Sequence, residues 1–209
     1  YRVGGIAGFI THYRIIARGN RYPNMLQDVQ RSIMLVRQNA DTYGIDPNKL
    51  GVMGFSAGGH LAAMAGLFFD SDVLAQEGIT PGVSLKPDFI APVYPVVSLV
   101  DKCAHKRSRR GLLGEGKSIS REMKDSLSLE KHVRADMPPT YLINCVDDPI
   151  VHFHNSELLD SAMTVMNVPH RYVQFKTGGH GFGATPEKTT NEAIAWKDDF
   201  INWLRNIFR

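Results

Sequence analysis

One stretch of the sequence decides the fold: Gly51-Val52-Met53-Gly54-Phe55-Ser56-Ala57-Gly58-Gly59-His60-Leu61-Ala62. The run from Leu50 to Phe55 predicts a short buried strand, and the run from Ala57 to Phe69 predicts a small-residue helix that packs closely on a sheet. The pattern Gly-x-Ser-x-Gly at the junction is typical of a sharp turn whose small residues let neighbouring backbones approach. We therefore predict that Ser56 is a nucleophile and that the Ala57 N–H, at a helix start, faces a forming oxyanion. The alternative is a glycine-rich turn before a helix, with no chemistry.

Outward from this stretch, strand-like apolar runs alternate with helix-like periodicities. The predicted strands cover residues 6–16, 50–55, 89–97, 140–146 and 171–175. The predicted helices cover residues 24–43, 57–69, 154–166 and 194–207, with Asn24 and Gln27 as a capping box and Gly44 as the stop of the first helix. Such alternation predicts an α/β fold, a mostly parallel sheet with helices on both faces. Ligands of these sheets bind beyond the carboxyl ends of the strands, here just after residues 55, 146 and 176.

Carboxylates follow the second of these strand ends, and a single histidine follows the third. Asp147 and Asp148 come directly after the strand at 140–146. We prefer Asp148 as the carboxylate that orients a catalytic base; Asp101 is a rival, and a turn with a helix cap is the structural alternative. His180 lies in Gly178-Gly179-His180-Gly181-Phe182-Gly183. A histidine near its intrinsic pKa can take the serine proton and return it to a leaving group. The order Ser56, Asp148, His180 is the order of α/β-hydrolases.

Composition bounds the remaining possibilities. The 209 residues, of which 43% are hydrophobic, suffice for one domain over residues 1–209. Residues 101–138 are polar and weakly periodic, and we interpret them as an excursion that caps the site. The net charge is only +3, and we interpret the basic run at residues 105–110 as a solvated loop, so neither nucleic acid nor another polyanion is an expected partner. No apolar stretch reaches the length of a membrane helix, so a membrane is not an expected partner either.

A metal site is the other chemistry to consider. His152 and His154 share a spacing that suits metal ligation, but zinc needs a third ligand and the sequence offers no evident companion. No metal is therefore expected. The two cysteines do not form a disulfide framework.

At these residues the chain resembles a family, the bacterial α/β-hydrolase esterases related to acetyl-xylan esterases, the BD-FAE-like group. The matching stretches are Tyr13-Arg14, Tyr22-Pro23, Asp46-Pro47, Gly51 to Ala62, Pro87-Asp88-Phe89, Tyr94-Pro95, Leu112-Leu113-Gly114, Pro138-Pro139-Thr140, Asp147 to Val151, Asn155-Ser156, Val168-Pro169 and Gly178 to Gly183. In this family the acid opens an Asp-x-x-Val motif, which selects Asp148. The resemblance implies a serine ester hydrolase, commonly one that removes acetyl groups from hemicellulose sugars such as acetyl-xylan or xylo-oligosaccharides. It implies no metal or organic cofactor. Relatives that degrade polysaccharides are often exported, which favours a periplasmic or secreted location.

Two departures from the family pattern stand out. His152 stands where the family usually has proline after its Asp-x-x-Val motif. The family's glycine-rich oxyanion loop, upstream of the strand predicted at 6–16, has no match. We therefore expect an α/β-hydrolase domain that lacks its N-terminal strands, with an upstream segment or a companion chain supplying them together with the oxyanion loop.

Two other functions use the same residues. A serine peptidase of the prolyl-oligopeptidase type has the same triad order on the same fold. A non-catalytic hydrolase-like binding protein would be favoured if the oxyanion loop were absent from the natural protein.

Overall fold

A four-stranded parallel sheet forms the centre of the chain. The computed structural model describes residues 2–3, 5–15, 18–114 and 119–209. Its central sheet has the order β3-β4-β5-β6 and consists of β3 (Gly51–Phe55), β4 (Phe89–Val93), β5 (Thr140–Cys145) and β6 (His170–Phe175). All three pairings are parallel. A separate antiparallel hairpin is formed by β1 (Arg2–Val3) and β2 (Ile6–Ala7).

Helices connect the strands and cover the sheet. They are α1 (Asn24–Gln38), α2 (Ala40–Tyr43), α3 (Ala57–Leu67), α4 (Lys106–Leu113), α5 (Arg121–Asp125), α6 (His154–Val165) and α7 (Trp196–Ile207). Short 3-10 helices lie at Ala75–Glu77, Leu129–Lys131 and Ala193–Ala195. No helix in the described ranges combines the length and apolarity needed to cross a bilayer.

The two faces of the sheet carry separate cores. Alternate residues of β5 point to opposite faces, as the pleat of a strand requires. Leu142 packs in the core that contains side chains of α1, α3 and α6. Tyr141 and Ile143 pack in the core that contains Trp196 and Phe200 of α7. Burial on both faces explains why β5 is an uninterrupted apolar run, and it confirms the predicted α/β architecture.

The prediction of a sheet strand at residues 6–16 is wrong. Residue 16 of the predicted strand lies outside the described residues; within residues 6–15, only Ile6–Ala7 forms a strand, and it pairs in the small hairpin rather than in the central sheet. The backbone N–H of Arg14 donates instead to Asp28 Oδ2 at 2.6 Å, and the Arg14 guanidinium bonds the same carboxylate and Glu77. Side-chain anchoring on α1 therefore replaces the sheet ladder in this segment.

Smaller corrections concern element ends. Strand β4 ends at Val93 rather than at residue 97, because Tyr94 takes a φ of 37° and Pro95 has no N–H to donate. The capping box is wrong: Asn24 is the first residue of α1, and its Nδ2 donates to Gln27 Oε1 at 3.2 Å without capping the backbone. The predicted stop at Gly44 is confirmed, with a left-handed φ of 59°, although Asn39 separates the predicted helix into α1 and α2.

The segment at 101–138 contains more regular structure than its sequence suggests. The basic run interpreted as a loop lies mostly in α4, so that interpretation is wrong. The segment also contains helix α5, which begins after Ser120, and the Ser120 Oγ accepts the Met123 N–H. Residues 115–118 of the predicted excursion lie outside the described residues. That the segment caps the site stays a prediction.

Candidate active site

Ser56 stands between β3 and α3 in a strained conformation. Its φ is 57° and its ψ is −118°, a region that a residue with a Cβ avoids unless the surroundings enforce it. The surroundings do so through backbone hydrogen bonds: the Ser56 N–H donates to Val93 O at 3.0 Å, and the Ser56 carbonyl accepts from the His60 and Val96 N–H groups. A Cβ at Gly54 would lie 1.9 Å from Gly58 O, so the turn closes only with glycine there. This is the predicted sharp turn, with the serine at its apex.

The structure brings Ser56, Asp148 and His180 together. His180 Nε2 lies 2.9 Å from Ser56 Oγ, and His180 Nδ1 lies 2.7 Å from Asp148 Oδ2. Because the carboxylate only accepts, Nδ1 carries the proton and donates it, which leaves Nε2 to accept from the serine hydroxyl. The three predicted side chains therefore form one chain of hydrogen bonds that runs from nucleophile to carboxylate.

The Asp148 carboxylate is fully enclosed and fully bonded. Its side chain has 0% exposure, against 17% for His180. Oδ1 accepts the N–H groups of Ile150 and Val151 at 2.8 and 2.9 Å, and Oδ2 faces the imidazole. These bonds fix the orientation of the carboxylate beside the imidazole. The rival Asp101 is wrong as the partner of His180: its Oδ1 accepts the Cys103 N–H in its own loop.

The loop that carries His180 is closely packed at both sides of the histidine. Gly178 has a φ of 152°, and a Cβ there would lie 2.4 Å from Cys145 Sγ, so this position requires glycine. Phe182 is fully buried, and Trp196 Nε1 donates to Gly183 O at 2.7 Å. The imidazole is thus presented from a loop that is anchored on β5 and on the start of α7.

Sequence reasoning missed Tyr94. Its ring packs against the His180 imidazole, with centroids 4.8 Å apart, and equally closely against Phe182. Burial, and then the charge of Asp148, raise the pKa of Tyr94 to about 12, so its hydroxyl stays neutral. The only signal in the sequence was its place in the matching Tyr94-Pro95 pair, which says nothing of its partner.

Asn155 was also missed as a contributor. It is fully buried and its Oδ1 accepts the N–H groups of Val97 and Ser98 at 2.9 and 3.2 Å. Its Nδ2 donates to the carbonyls of Cys103 and His152, each at 3.0 Å. One side chain therefore joins the loop after β4 to the loop that carries Asp148.

Two further predictions concern neighbouring groups. Ala57 is the first residue of α3, so its N–H has no acceptor within the helix; its oxyanion role stays a prediction. His154 Nδ1 bonds Glu157 Oε2 at 2.9 Å, and His152 stacks on Phe153. Across the described ranges, no group of three or more His, Cys, Asp or Glu side chains is arranged to hold a metal ion.

The geometry suits acyl transfer. A serine whose proton can pass to a neighbouring imidazole, with the imidazole oriented by a buried carboxylate, is the arrangement that activates serine as a nucleophile. A helix begins at the residue after the serine, where its N–H groups favour developing negative charge.

Comparisons with known proteins identify the family and relatives of the chain. The BD-FAE family model matches residues 4–163. The endo-1,4-beta-xylanase B of Butyrivibrio fibrisolvens is 34% identical over 156 residues, which are 75% of this chain and 24% of that protein. The acetylxylan esterase of Xylanibacter ruminicola is 30% identical over 206 residues, 97% of this chain and 39% of that protein.

A solved structure shows the same fold. The acetyl ester-xyloside bifunctional hydrolase of Caldicellulosiruptor lactoaceticus superposes with a TM-score of 0.83 at 36% identity, over 93% of this chain and 69% of that one. This likeness confirms the predicted α/β-hydrolase fold. The chain spans 24% and 39% of the lengths of these two relatives, the xylanase and the acetylxylan esterase.

Proposed function

The chain belongs to the BD-FAE family, and from that premise we propose that it is a serine carboxylic-ester hydrolase that removes acetyl groups from hemicellulose sugars. One observation carries the proposal: the continuous hydrogen bonding from Ser56 Oγ through the His180 imidazole to Asp148. Relatives named as an acetylxylan esterase and as a xylanase support acetyl-xylan or acetylated xylo-oligosaccharides as the substrate.

The proposed reaction proceeds in two halves. His180 Nε2 takes the Ser56 proton as Oγ attacks the ester carbonyl, and Asp148 stabilises the imidazolium that forms. The Ala57 N–H donates to the tetrahedral oxyanion. The C–O bond to the sugar then breaks, and the alcohol leaves with the proton held by His180. Water, deprotonated by His180, hydrolyses the acyl-enzyme to acetate and free serine.

The test of this function compares wild type with Ser56→Ala on p-nitrophenyl acetate and on acetylated xylo-oligosaccharides. We expect the variant to lose at least about 10⁴-fold in kcat, because the other groups have no nucleophile to act on. Ser161→Ala, which removes an exposed serine on α6, is the matched control and keeps full activity. Turnover that persists in purified Ser56→Ala would reject Ser56. Hydrolysis of peptide nitroanilides in place of acetyl esters would indicate a peptidase, and no turnover on either would favour a binding protein.

We also propose that an extended segment, from an upstream part of the polypeptide or from a companion chain, pairs with the free edge of β3. Among the described residues, β3 pairs with β4 alone. Its other edge faces a groove of about 1260 Å³ that also borders Gly54, Phe55 and Gly58 of the serine turn. Met53 and Phe55 are 37% and 43% exposed beside it. A strand in this groove would cover apolar surface and bring backbone N–H groups close to the oxyanion.

The proposed segment makes a kinetic prediction. Loss of one oxyanion donor costs about 10²- to 10³-fold in kcat. We therefore expect turnover per titrated serine to be lower by that factor in residues 1–209 alone than in the protein isolated from its source. Equal turnover in the two preparations would contradict the proposed segment.

A further inference from the structure

Asp147 precedes Asp148 in the chain but faces a different part of the site. Its Oδ1 accepts the N–H of Gly179 at 2.8 Å, and its Oδ2 accepts the N–H of Gly178 at 3.2 Å. The two oxygens thus hold two consecutive backbone amides directly before His180. The two adjacent carboxylates therefore have different partners. Asp148 bonds the imidazole of His180, and Asp147 bonds the backbone that carries this histidine.

A second carboxylate, that of Glu192, accepts the two preceding backbone N–H groups, those of Lys176 and Thr177. Glu192 Oε1 accepts the N–H of Lys176 at 3.2 Å, and Glu192 Oε2 accepts the N–H of Thr177 at 3.2 Å. The bond from Lys176, followed by the bonds from Thr177, lowers the pKa of Glu192 and keeps it ionised at neutral pH. Four successive N–H groups, at residues 176–179, are therefore held by two carboxylates.

The loop needs such anchors because of its glycines. Gly178, Gly179, Gly181 and Gly183 all have positive φ, between 58° and 152°. Glycine makes these conformations accessible, but it also leaves the backbone many alternatives. Catalysis by His180 requires its Nε2 to stay within hydrogen-bond distance of Ser56, and a misplacement of about 1 Å can cost about 10²-fold in rate.

We propose that Asp147 is a positioning residue for His180. Its carboxylate acts through the loop backbone, by restraining Gly178 and Gly179 so that the imidazole stays between Ser56 and Asp148. This role rests on the proposed ester hydrolysis, in which His180 carries the proton.

Kinetics of two variants test the proposal. Asp147→Ala removes both acceptors, and we expect kcat on p-nitrophenyl acetate to fall about ten- to hundredfold with KM unchanged, because proton transfer is impaired and substrate binding is not. Asp147→Asn keeps one carbonyl oxygen, and we expect an intermediate kcat. Asp72→Ala, which removes an exposed aspartate in the segment after α3, is the control and retains wild-type kcat.

Hydrogen exchange separates positioning from a general loss of stability. In Asp147→Ala we expect faster amide exchange in peptides that cover residues 176–183, with unchanged exchange in β5 and α3. Should this variant fail to fold, Asp147→Asn carries the same comparison. Unchanged exchange in the loop, or wild-type kcat in Asp147→Ala, overturns the proposal, as does a rise in KM alone.

The two proposals fail in different ways. If wild type hydrolyses no ester, the proposed function fails, and exchange then decides alone whether Asp147 restrains the loop. If wild type is active and Asp147→Ala matches it in kcat, the esterase stands and the positioning role is rejected.

Discussion

The strained backbone of Ser56 depends on the small size of a neighbouring residue, Gly54. The positive φ of Ser56 is a local cost, and the close approach of β3 to α3 is possible because Gly54 presents no side chain to Gly58 O. The two glycines of the motif, however, face very different surroundings. A Cβ at Gly58 would meet only the Tyr13 hydroxyl, at 3.9 Å.

This difference predicts opposite effects of the same substitution. Gly54→Ala forces a backbone shift, and we expect the free energy of unfolding to fall by at least about 1–3 kcal/mol, the usual cost of overpacking. Gly58→Ala lies in an open part of the first turn of α3, and we expect it to raise that free energy by up to about 1 kcal/mol, because alanine is the better helix former. Urea unfolding of both variants measures this, and equal effects at the two positions would contradict the packing at the turn.

The reactive residues of the site could be predicted from the sequence, but the residues that contact and support them could not. Ser56, Asp148 and His180 could be selected because each carries reactive chemistry and follows a recognisable strand or glycine motif. Tyr94 and Asn155 have neither reactive chemistry nor a motif that points to their roles, because those roles come from contacts with residues far away in the sequence. Asp147 and Asp148 carry the same side chain, and the family's Asp-x-x-Val motif selected Asp148 as the acid. That Asp147 bonds the backbone before His180 is visible only in the three-dimensional path of the loop.

At the scale of elements, the loop after β4 connects the turn that carries Ser56 to the loop that carries Asp148. The His60 imidazole, in α3, bonds Val96 O through Nδ1 at 3.0 Å, and the Val96 N–H donates to Ser56 O. His60 is buried, and its Nε2 has no hydrogen-bond partner among the described residues. Burial lowers the pKa of His60 to about 4, so the imidazole is neutral in the folded protein at neutral pH.

This burial predicts how stability changes with pH. The unfolded chain takes up a proton on His60 as the pH falls through its ordinary pKa of 6.5, whereas the folded protein does so only near pH 4. The unfolded state therefore binds more protons in this window, and the free energy of unfolding falls as the pH falls from 6.5 to 4, by about 3 kcal/mol from this group.

His60→Asn isolates the contribution of the imidazole. Its amide nitrogen can still donate to Val96 O, but it does not titrate. We expect urea unfolding across this pH window to show a flatter dependence for the variant, even if its stability at pH 7 is also lower. Parallel curves for the two proteins would show that His60 is not the group responsible.

Element boundaries were the least predictable part of the fold. Strands β4 and β5 and most of helix α3 are buried, and their largely apolar residues made them predictable. Strand β3 was predicted at the right place, but the prediction that it is buried is wrong, because only Gly54 of it is buried. The segment at residues 8–15 looks equally strand-like, yet its Arg14 N–H is satisfied by Asp28. The basic run in α4 was interpreted as a loop because residues 105–110 include no apolar side chain, and the buried Leu112 follows only at the end of the helix. Both errors concern segments whose structure is set by contacts outside themselves.

At the scale of the whole molecule, a group of charged hydrogen bonds lies at the end of the sheet opposite the candidate site. Arg37, on α1, is 9% exposed and bonds Asp88 Oδ2 at 2.7 Å. Its other guanidinium nitrogens donate to the carbonyls of Pro47, Ser84 and Lys86 at 2.6–2.9 Å. These contacts join α1 to the segments that enter β3 and β4, at the strand ends remote from Ser56.

Removal of this arginine should therefore weaken the fold without altering the reaction. We expect Arg37→Ala to lower the free energy of unfolding by on the order of 2–3 kcal/mol, because several carbonyls and a carboxylate lose a charged donor. We expect kcat to be unchanged. Arg31→Ala, at an exposed position on the same helix, should change stability by less than about 0.5 kcal/mol. A large loss of kcat in folded Arg37→Ala would contradict the separation of the two ends.

Covalent labelling with a fluorophosphonate, followed by peptide mass spectrometry, tests directly whether Ser56 is a nucleophile activated by His180. We expect a single adduct on Ser56, and a greatly slowed reaction in His180→Ala, because the hydroxyl then has no base to take its proton. An adduct on another residue, an unlabelled Ser56, or undiminished labelling in His180→Ala would contradict this expectation.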